Sequence, residues 1–252
     1  MLNLEGSGRP VCRIVGKGKG KGSKVIYVTD DENNVINCFK MIGCKEDEHM
    51  QQIPNFISER DVLYIAGQSG SGKSYYLKNF CKQYNAIFPD RSIYLLSPVQ
   101  NDISLDGIKN VKRINIDTDE FLEIDLECDD FKESLVAFDD CDSIKDKPLR
   151  RKIDAILSML LNRGRHTKTT VVYISHLLCN GQETKQILNE AHSITIFPKS
   201  LGGRALKYLL ENYLCLDKNQ IDQIKNLNSR HVTVCKTYPT SIIYDKGIYL
   251  LN

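Results

Sequence analysis

The sequence predicts an α/β fold built on a parallel sheet that carries helices on both faces. Short apolar runs of the kind that form buried parallel strands occupy residues 61–66, 135–138 and 170–175. Apolar residues at helical spacing occupy residues 149–161, between the second and third of these runs. Because strands alternate with helices along the chain, a parallel sheet is favoured over an antiparallel one.

Further predicted elements continue this alternation. A helix is predicted at residues 74–84, after the glycine-rich loop that follows the first strand. The remaining predicted helices are 184–191, 205–214 and 217–227. The remaining predicted strands are 92–96, 111–116, 193–197, 231–237 and 241–251. A turn at residues 245–247 divides the last of these strands and predicts a C-terminal β hairpin.

The N-terminal segment is predicted to form a small β appendage. Residues 16–22 alternate glycine and lysine, which predicts a flexible loop or a hairpin tip. Strands are predicted at residues 25–29 and 35–39, joined by a turn at 30–34.

The composition is that of a folded chain with room for one large α/β domain and appendages, or for two small domains. Of its 252 residues, 41% are apolar and 26% are charged. No apolar run approaches the roughly 20 residues needed to cross a bilayer, and residues 1–10 lack the apolar core of a signal peptide. The 9 cysteines include no C-x-x-C pair, which favours reduced thiols over a zinc ribbon or a disulfide framework.

The net charge of +2 gives no strong nucleic-acid signal for the whole chain. The first 24 residues are locally basic, because only Glu5 opposes Arg9, Arg13, Lys17, Lys19, Lys21 and Lys24. Two interpretations stay open for this segment: a basic arm that contacts phosphates, or a solvated flexible segment.

The strongest motif is G-x-x-x-x-G-K-[ST], which occurs as Gly67, Gln68, Ser69, Gly70, Ser71, Gly72, Lys73 and Ser74. A predicted strand precedes it and a predicted helix follows it, as a P-loop requires. Its glycines allow a tight turn that aims N–H groups at phosphate oxygens, and the helix adds its positive end. Lys73 is expected to neutralise the β- and γ-phosphates, and Ser74 to offer its hydroxyl to magnesium.

A pair of carboxylates ends the predicted strand at residues 135–138. A parallel strand delivers such residues to the carboxyl edge of the sheet, where the phosphates are expected. Asp139 is expected to hold magnesium through water, and Asp140 to act as the base, or to orient the water, for attack on the γ-phosphate. The alternative is an acidic turn, because Asp142 and Asp146 follow closely.

A third polar element surrounds the predicted strand at residues 170–175. Arg165 and His166 precede this strand, and Ser175 and His176 end it. Either Ser175 or His176 is in place to contact the γ-phosphate. A buried histidine satisfied by the backbone is the alternative interpretation of His176.

Together these elements resemble the genome-packaging ATPases of large eukaryotic DNA viruses, the poxvirus-type branch of the FtsK–HerA superfamily of P-loop NTPases. The resemblance covers roughly residues 55–250 and includes the P-loop, the Phe138-Asp139-Asp140 strand end and the Arg165-His166 pair before its strand. The chain departs from the family pattern at His176, where the family pattern has glutamine.

The resemblance implies a RecA-like sheet in which the strand ending at Ser175 lies between the P-loop strand and the Asp139 strand. It implies a ring homo-oligomer that hydrolyses ATP with Mg²⁺ between its subunits and drives double-stranded DNA into a preformed capsid. A capsid or membrane-vertex protein is a further implied partner, and no membrane insertion is expected. The implied locations are the virus factory in the host cytoplasm and the virion.

The same resemblance suggests cations for two tasks. An arginine that stabilises the transferring phosphoryl group often comes from a neighbouring subunit, and the candidates are Arg163, Arg165, Arg204 and Arg230. The candidates for contact with DNA are Lys145, Lys147, Arg150, Arg151, Lys152, Arg163, Arg165 and Lys168. We expect two domains: a basic β appendage at residues 1–54, and a P-loop ATPase domain with its C-terminal β tail at residues 55–252.

Other functions are compatible with parts of the pattern. A different FtsK- or HerA-like DNA pump or helicase would share the motifs, although the chain has little room for a membrane anchor or a large accessory domain. A small-molecule kinase would need an arginine-rich lid, which only Arg163-Gly164-Arg165 imitates. A regulatory GTPase is disfavoured, because the sequence has no Asn-Lys-x-Asp segment.

Overall fold

The computed structural model describes residues 1–16, 24–31, 35–99, 105 and 107–251. The chain divides into two compact units. The P-loop unit is Ser58–Ala191, and the terminal unit combines Met1–Ile57 with His192–Asn252. The predicted division places the C-terminal strands in the P-loop domain. In the structure, these strands belong to the same compact unit as the N-terminal residues.

The secondary structure within the described residues is as follows. The strands are β1 (Leu2–Asn3), β2 (Arg9–Gly16), β3 (Val25–Val28), β4 (Met41–Gly43), β5 (Glu48–Gln52), β6 (Val62–Ala66), β7 (Ile93–Ser97), β8 (Val111–Asn115), β9 (Leu135–Phe138), β10 (Thr170–Ser175), β11 (Ser193–Ile196), β12 (Val232–Cys235), β13 (Ser241–Tyr244) and β14 (Gly247–Leu250). The helices are α1 (Lys73–Ile87), α2 (Asp119–Glu123), α3 (Lys147–Arg163), α4 (Gly181–Glu190), α5 (Gly203–Asn212) and α6 (Lys218–Asn226). None of these helices is long and apolar enough to cross a lipid bilayer.

The sheet of the P-loop unit is parallel, with strand order β6-β10-β9-β7-β8. Its register pairs Ser175 of β10 with Ala66 of β6, and Tyr173 with Phe138 of β9. The structure therefore confirms the predicted α/β fold and the predicted position of β10 between the P-loop strand and the Asp139 strand. The carboxyl ends of β6, β9 and β10 lie side by side at one edge, which we call the carboxyl edge.

Burial explains why these segments form the sheet. Every residue of β6, β9 and β10 is buried, as expected for strands covered on both faces. Helix α3 begins where the Asp146 carboxylate accepts a hydrogen bond of 3.0 Å from the Leu149 N–H, a favourable N-cap. The buried residues of α3 recur at helical spacing: Leu149, Ile153, Ile156, Leu157, Leu160 and Leu161.

The carboxyl end of α3 is fixed by a single arginine from the segment before β6. The Arg60 guanidinium donates to the carbonyl oxygens of Leu160 at 3.2 Å, Leu161 at 2.9 Å and Thr169 at 3.3 Å. A cation is favourable there, because the last carbonyls of a helix have no partner within it. Arg60 therefore stabilises the turn from α3 into β10 at the amino edge, the edge where the strands begin.

The terminal unit is built from antiparallel strands. One sheet has the strand order β1-β3-β2-β5. A second set of neighbouring antiparallel strands has the order β11-β12-β13-β14-β4. Its core cluster brings together apolar residues from both ends of the chain: Leu2, Val11, Cys12, Ile26, Val28, Met50, Cys235, Ile243 and Ile248. The N-terminal β appendage and the C-terminal hairpin, formed by β13 and β14, are both present.

Two predictions for the N-terminal segment are wrong. The predicted strand at residues 35–39 is a loop in which Ile36 is 92% exposed, and the strand begins later, at Met41. The Glu5 carboxylate accepts the backbone N–H groups of Ile36 and Asn37 at 3.1 Å each, which takes those donors away from a sheet.

The predicted basic arm is also wrong in part. Arg9 and Arg13 belong to β2, which pairs with β3 and β5 and is therefore neither an arm nor a flexible segment. The lysines predicted to form the loop tip, Lys17, Lys19 and Lys21, lie outside the described residues.

Candidate active site

The P-loop connects β6 to α1 at the carboxyl edge. Two of its glycines adopt a positive φ, with values of 75° at Gly70 and 112° at Gly72, and such conformations are strained for other residues. Helix α1 begins immediately afterwards, with the Tyr76 N–H donating to the Gly72 carbonyl at 2.9 Å. The sequence thus produces a turn that ends at a helix amino terminus, the local geometry that binds phosphate.

The Lys73 ammonium lies against the loop that carries it. Its Nζ donates to the carbonyl oxygens of Gly67 at 2.7 Å and Gln68 at 3.1 Å. The same nitrogen lies 3.2 Å from Nδ1 of His176. Since an ammonium has three N–H donors and no acceptor, these contacts use its full hydrogen-bonding capacity.

Electrostatics at Lys73 reflect both burial and nearby carboxylates. Burial lowers the pKa of the Lys73 ammonium, while the charges of Asp140, Asp139 and Asp142 act in the opposite direction. Three carboxylates from the turn after β9 therefore act on one cation from the P-loop. The structure brings together the P-loop and the Asp139-Asp140 pair, as the sequence predicts.

His176 connects the two motifs. Its Nε2 lies 2.6 Å from Oδ1 of Asp140, on the side of the ring opposite the Lys73 contact. Because Lys73 can only donate, Nδ1 must accept, and Nε2 is then the nitrogen that carries a proton and donates to Asp140. Asp140 has a φ of 55°, an uncommon backbone conformation that directs the chain from β9 into the following turn.

Ser175 and His176 differ in what their side chains contact. Ser175 is fully buried, and its hydroxyl donates to Asp142 at 2.6 Å and accepts the Leu177 N–H at 3.0 Å. His176 instead faces Lys73 and Asp140. The side chain of His176 is therefore the one that β10 presents to the P-loop, and the interpretation of His176 as a histidine satisfied by the backbone does not describe this contact.

Asp139 and Ser74 are the predicted metal ligands. Asp139 is buried at the end of β9, where its N–H donates to the Leu96 carbonyl at 3.0 Å, and Ser74 is half-buried in the first turn of α1. Within the described residues, no group of three or more His, Cys, Asp and Glu side chains could hold a metal ion. A hydroxyl and a carboxylate still fit Mg²⁺, which proteins usually bind through one or two carboxylates together with substrate phosphates.

Arg165, predicted to be catalytic, does not lie at the P-loop of its own chain. It is exposed in the turn between α3 and β10, at the amino edge. The six residues of β10 separate this turn from the carboxyl edge, a distance of about 17 Å at the usual rise per residue. Arg163 is the last residue of α3, directly before this turn, and Arg204 and Arg230 belong to the terminal unit. Arg165 is therefore not part of the P-loop site of its own chain.

Several of the predicted DNA-contacting cations have partners within the chain. Arg150 donates to the Cys141 carbonyl at 3.0 Å and lies 3.2 Å from Asp154. Lys152 donates to the carbonyls of Leu122 and Ile124. The exposed residues of this predicted set are Lys145, Lys147, Arg151, Arg163, Arg165 and Lys168.

Asp142 is the residue of this site that sequence reasoning missed. Its carboxylate accepts hydrogen bonds from Tyr173, Ser175 and the His176 backbone. In the sequence it is one of several aspartates after β9, and no spacing distinguishes it from Asp146, which caps α3. Only the close packing of this turn against the end of β10 makes the two aspartates different.

A curated relative identifies the family. No protein-family model matches the chain. Protein V3 of Sputnik virophage is 38% identical to it over 249 residues, which cover 98% of this chain and 97% of the relative. The chain belongs to the family of this virophage protein.

Solved structures identify the fold of the V3 family member described here. The genome packaging NTPase B204 from Sulfolobus turreted icosahedral virus 2, in complex with ATP-gammaS, matches with a TM-score of 0.51 and 16% identity, over 73% of this chain and 97% of that one. The pCW3 conjugation coupling protein TcpA, with ATPgS, matches with a TM-score of 0.42 and 12% identity, over 93% of this chain and 75% of that one. The B204 match confirms the predicted fold, which this chain shares with a solved viral genome packaging NTPase.

Proposed function

We propose that this protein is an ATPase that drives double-stranded DNA into a preformed viral capsid. The observation that carries the proposal is the contact chain from Lys73 through His176 to Asp140, at the ends of three adjacent parallel strands. The kinship with a virophage protein and the fold shared with a genome packaging NTPase support a viral role.

ATP binding follows from the P-loop geometry. The turn through Gly70 and Gly72 directs backbone N–H groups and the amino terminus of α1 toward the phosphates. All three Lys73 N–H groups have protein partners, so phosphate oxygens must replace at least one of them when ATP binds. The contact to His176 is the one that directly connects Lys73 to the hydrolytic residues.

Hydrolysis is assigned to the residues beside Lys73. Asp140 takes a proton from the attacking water, whose oxygen bonds to the γ-phosphorus, while the bridging oxygen keeps the electron pair of the broken bond and leaves with ADP. The contact with the γ-phosphate is assigned to His176, whose ring lies beside Asp140. Ser74 and Asp139 would hold Mg²⁺, which neutralises charge on the phosphate oxygens when bound.

The arginine that completes this site is assigned to a neighbouring subunit. Arg165 is exposed at the amino edge, about one strand length from its own P-loop, so a ring is the arrangement in which it reaches a nucleotide. We therefore propose a ring homo-oligomer with ATP between subunits and Arg165 acting on the adjacent site.

The exposed cations support contact with DNA. Lys145 precedes α3, Lys147 and Arg151 belong to its first two turns, and all three are exposed, so they are available to phosphates. The proposed setting is the virus factory in the host cytoplasm and the virion, with a capsid or membrane-vertex protein as the docking partner.

The test is ATP hydrolysis by the purified chain with and without linear double-stranded DNA, at low and moderate salt. We expect duplex DNA to stimulate hydrolysis and salt to weaken the stimulation. Protein binding releases the counterions that surround the DNA phosphates, and this release is less favourable when the salt concentration is higher. Replacing Lys145, Lys147 and Arg151 by glutamine is expected to weaken the stimulation and its salt dependence. Lys207→Gln, an exposed change on α5, is the matched control. Hydrolysis indifferent to duplex DNA at both salt concentrations contradicts a motor that engages DNA by itself.

A further inference from the structure

The carboxylate of Asp142 contacts the last residues of β10 from the turn that follows β9. Its Oδ1 accepts the Tyr173 hydroxyl at 3.0 Å. Its Oδ2 accepts the Ser175 hydroxyl at 2.6 Å and the His176 backbone N–H at 3.2 Å. Three donors from one strand end therefore converge on one half-buried carboxylate.

These contacts fix the main chain at the point where His176 leaves the strand. The His176 N–H bonds to Asp142, and the adjacent Ser175 carbonyl accepts the Gly67 N–H at 3.1 Å. The peptide group between Ser175 and His176 is thus held from the P-loop on one side and from the Asp142 turn on the other. The imidazole of His176, attached to a backbone held in this way, has few orientations. In the orientation observed, it contacts both Lys73 and Asp140.

Asp142 is itself held in place from α3. Arg150 lies 3.9 Å from Oδ1 of Asp142 and donates to the Cys141 carbonyl at 3.0 Å, so one side chain holds both residues of the turn. Burial raises the pKa of the Tyr173 phenol, and the Asp142 charge raises it further, so the phenol remains a donor at neutral pH. All three groups at the end of β10 that contact Asp142 therefore donate, which matches a carboxylate side chain that accepts through both oxygens.

We propose that Asp142 is a positioning residue for His176, holding the end of β10 so that the imidazole stays between Lys73 and Asp140. The proposal deepens the proposed function and rests on it, because it assigns to Asp142 an effect on hydrolysis exerted through His176. Asp142 itself contacts neither Lys73 nor Asp140 through any hydrogen bond described here, so it is not a catalytic residue.

The kinetic test uses Asp142→Asn. This change keeps the shape of the side chain but replaces one of the two acceptor oxygens by an NH₂ group, which donates. We expect kcat for ATP hydrolysis to fall by about 10- to 100-fold, the usual effect of removing a group that orients a catalytic ligand. The dissociation constant for ATPγS is expected to stay within about 2-fold, because the P-loop contacts are unchanged. A purely structural role would instead lower the melting temperature and weaken both steps together.

The matched control is Asp154→Asn. Asp154 pairs with the same Arg150 at 3.2 Å but has no described contact with β10, so this variant is expected to hydrolyse ATP like the wild type. A second comparison uses His176→Ala alone and together with Asp142→Asn. If Asp142 acts through His176, the double variant is no slower than His176→Ala, whereas independent effects multiply.

A measurement that does not depend on hydrolysis separates this proposal from the proposed function. The ring signals of His176 are assigned by NMR through their loss in His176→Gln, and their chemical shifts are then compared among variants. We expect the signals to move or broaden in Asp142→Asn and to stay in place in Asp154→Asn. Unchanged His176 signals in folded Asp142→Asn protein overturn the positioning role. If those signals move while the wild type hydrolyses no ATP, the positioning role stands and the proposed function fails.

Discussion

The two edges of the parallel sheet in the P-loop unit use their charged residues in different ways. At the carboxyl edge, Lys73, His176 and Asp140 form a chain of contacts of 3.2 and 2.6 Å. At the amino edge, Glu59 forms ion pairs with Arg91 at 2.7 Å and Lys168 at 2.8 Å, and Arg165 is exposed. The charged residues of the carboxyl edge carry the proposed chemistry. At the amino edge, the ion pairs of Glu59 are structural, and the exposed Arg165 is available to another molecule.

The difference shows what one chain can and cannot do alone. The carboxyl edge contains a phosphate-binding loop, a candidate base and a candidate phosphate sensor within one subunit. Arg165, the arginine proposed to complete the site, lies about one strand length away, at the other edge. A chain arranged in this way is expected to bind ATP by itself and to hydrolyse it fast only beside another copy.

The largest effect is expected at the carboxyl edge from Lys73→Ala. This change removes the ammonium from the P-loop, so hydrolysis is expected to fall to the rate without enzyme. The measurement is phosphate release at saturating ATP. Lys82→Ala, an exposed change on the same helix, is the control and is expected to be active. Substantial turnover by Lys73→Ala contradicts the assignment of the site.

A smaller but still large effect is expected at the amino edge from Arg165→Ala. If Arg165 acts on the neighbouring site, kcat falls by about 10³-fold, the lower range for an arginine finger supplied by another subunit. Mixing Arg165→Ala with Lys73→Ala protein is expected to restore hydrolysis, because some interfaces then pair an intact P-loop with an intact arginine. Arg163→Ala, an exposed change at the end of α3, is the control. Mixtures with no recovered activity exclude the assignment of Arg165 as the finger.

The smallest effect is expected from Glu59→Gln, which removes the ion pairs of the amino edge. Hydrogen bonds from Lys168 and Arg91 lower the pKa of Glu59 below its ordinary value of 4.5. A lowered pKa means that the ion pairs stabilise the fold above about pH 5, and that this contribution is lost as the pH falls through the folded-state pKa. Partly exposed pairs of this kind contribute less than about 1 kcal/mol.

The measurement for Glu59 is the melting temperature of wild type and variant at pH 7 and near pH 3. We expect a decrease of a few degrees at pH 7 that shrinks at the acidic pH. Glu211→Gln serves as the control, since its pair with Lys207 is longer, at 3.9 Å, and exposed. An equal decrease at both pH values shows that the carboxylate charge is not the cause.

The sequence is most informative where local chemistry dictates the structure. The P-loop requires glycines at positive φ, and the strands beside it are continuous buried runs, so both are readable from residue types alone. Residues 35–39 have the composition of a strand, but Glu5, about thirty residues earlier in the sequence, bonds their backbone. The role of Asp142 depends on the same kind of distant contact, with the end of β10, and no pattern of spacing reports it.

We propose that Asp140, held beside Lys73 through His176, removes the proton from the attacking water. The direct test is Asp140→Asn, measured as ATP retained after gel filtration and as phosphate released in a single turnover. We predict that the variant binds ATP and hydrolyses it at least about 10²-fold more slowly, because the base is lost while the P-loop is intact. Hydrolysis at the wild-type rate would contradict the assignment of Asp140, and with it the account of the carboxyl edge.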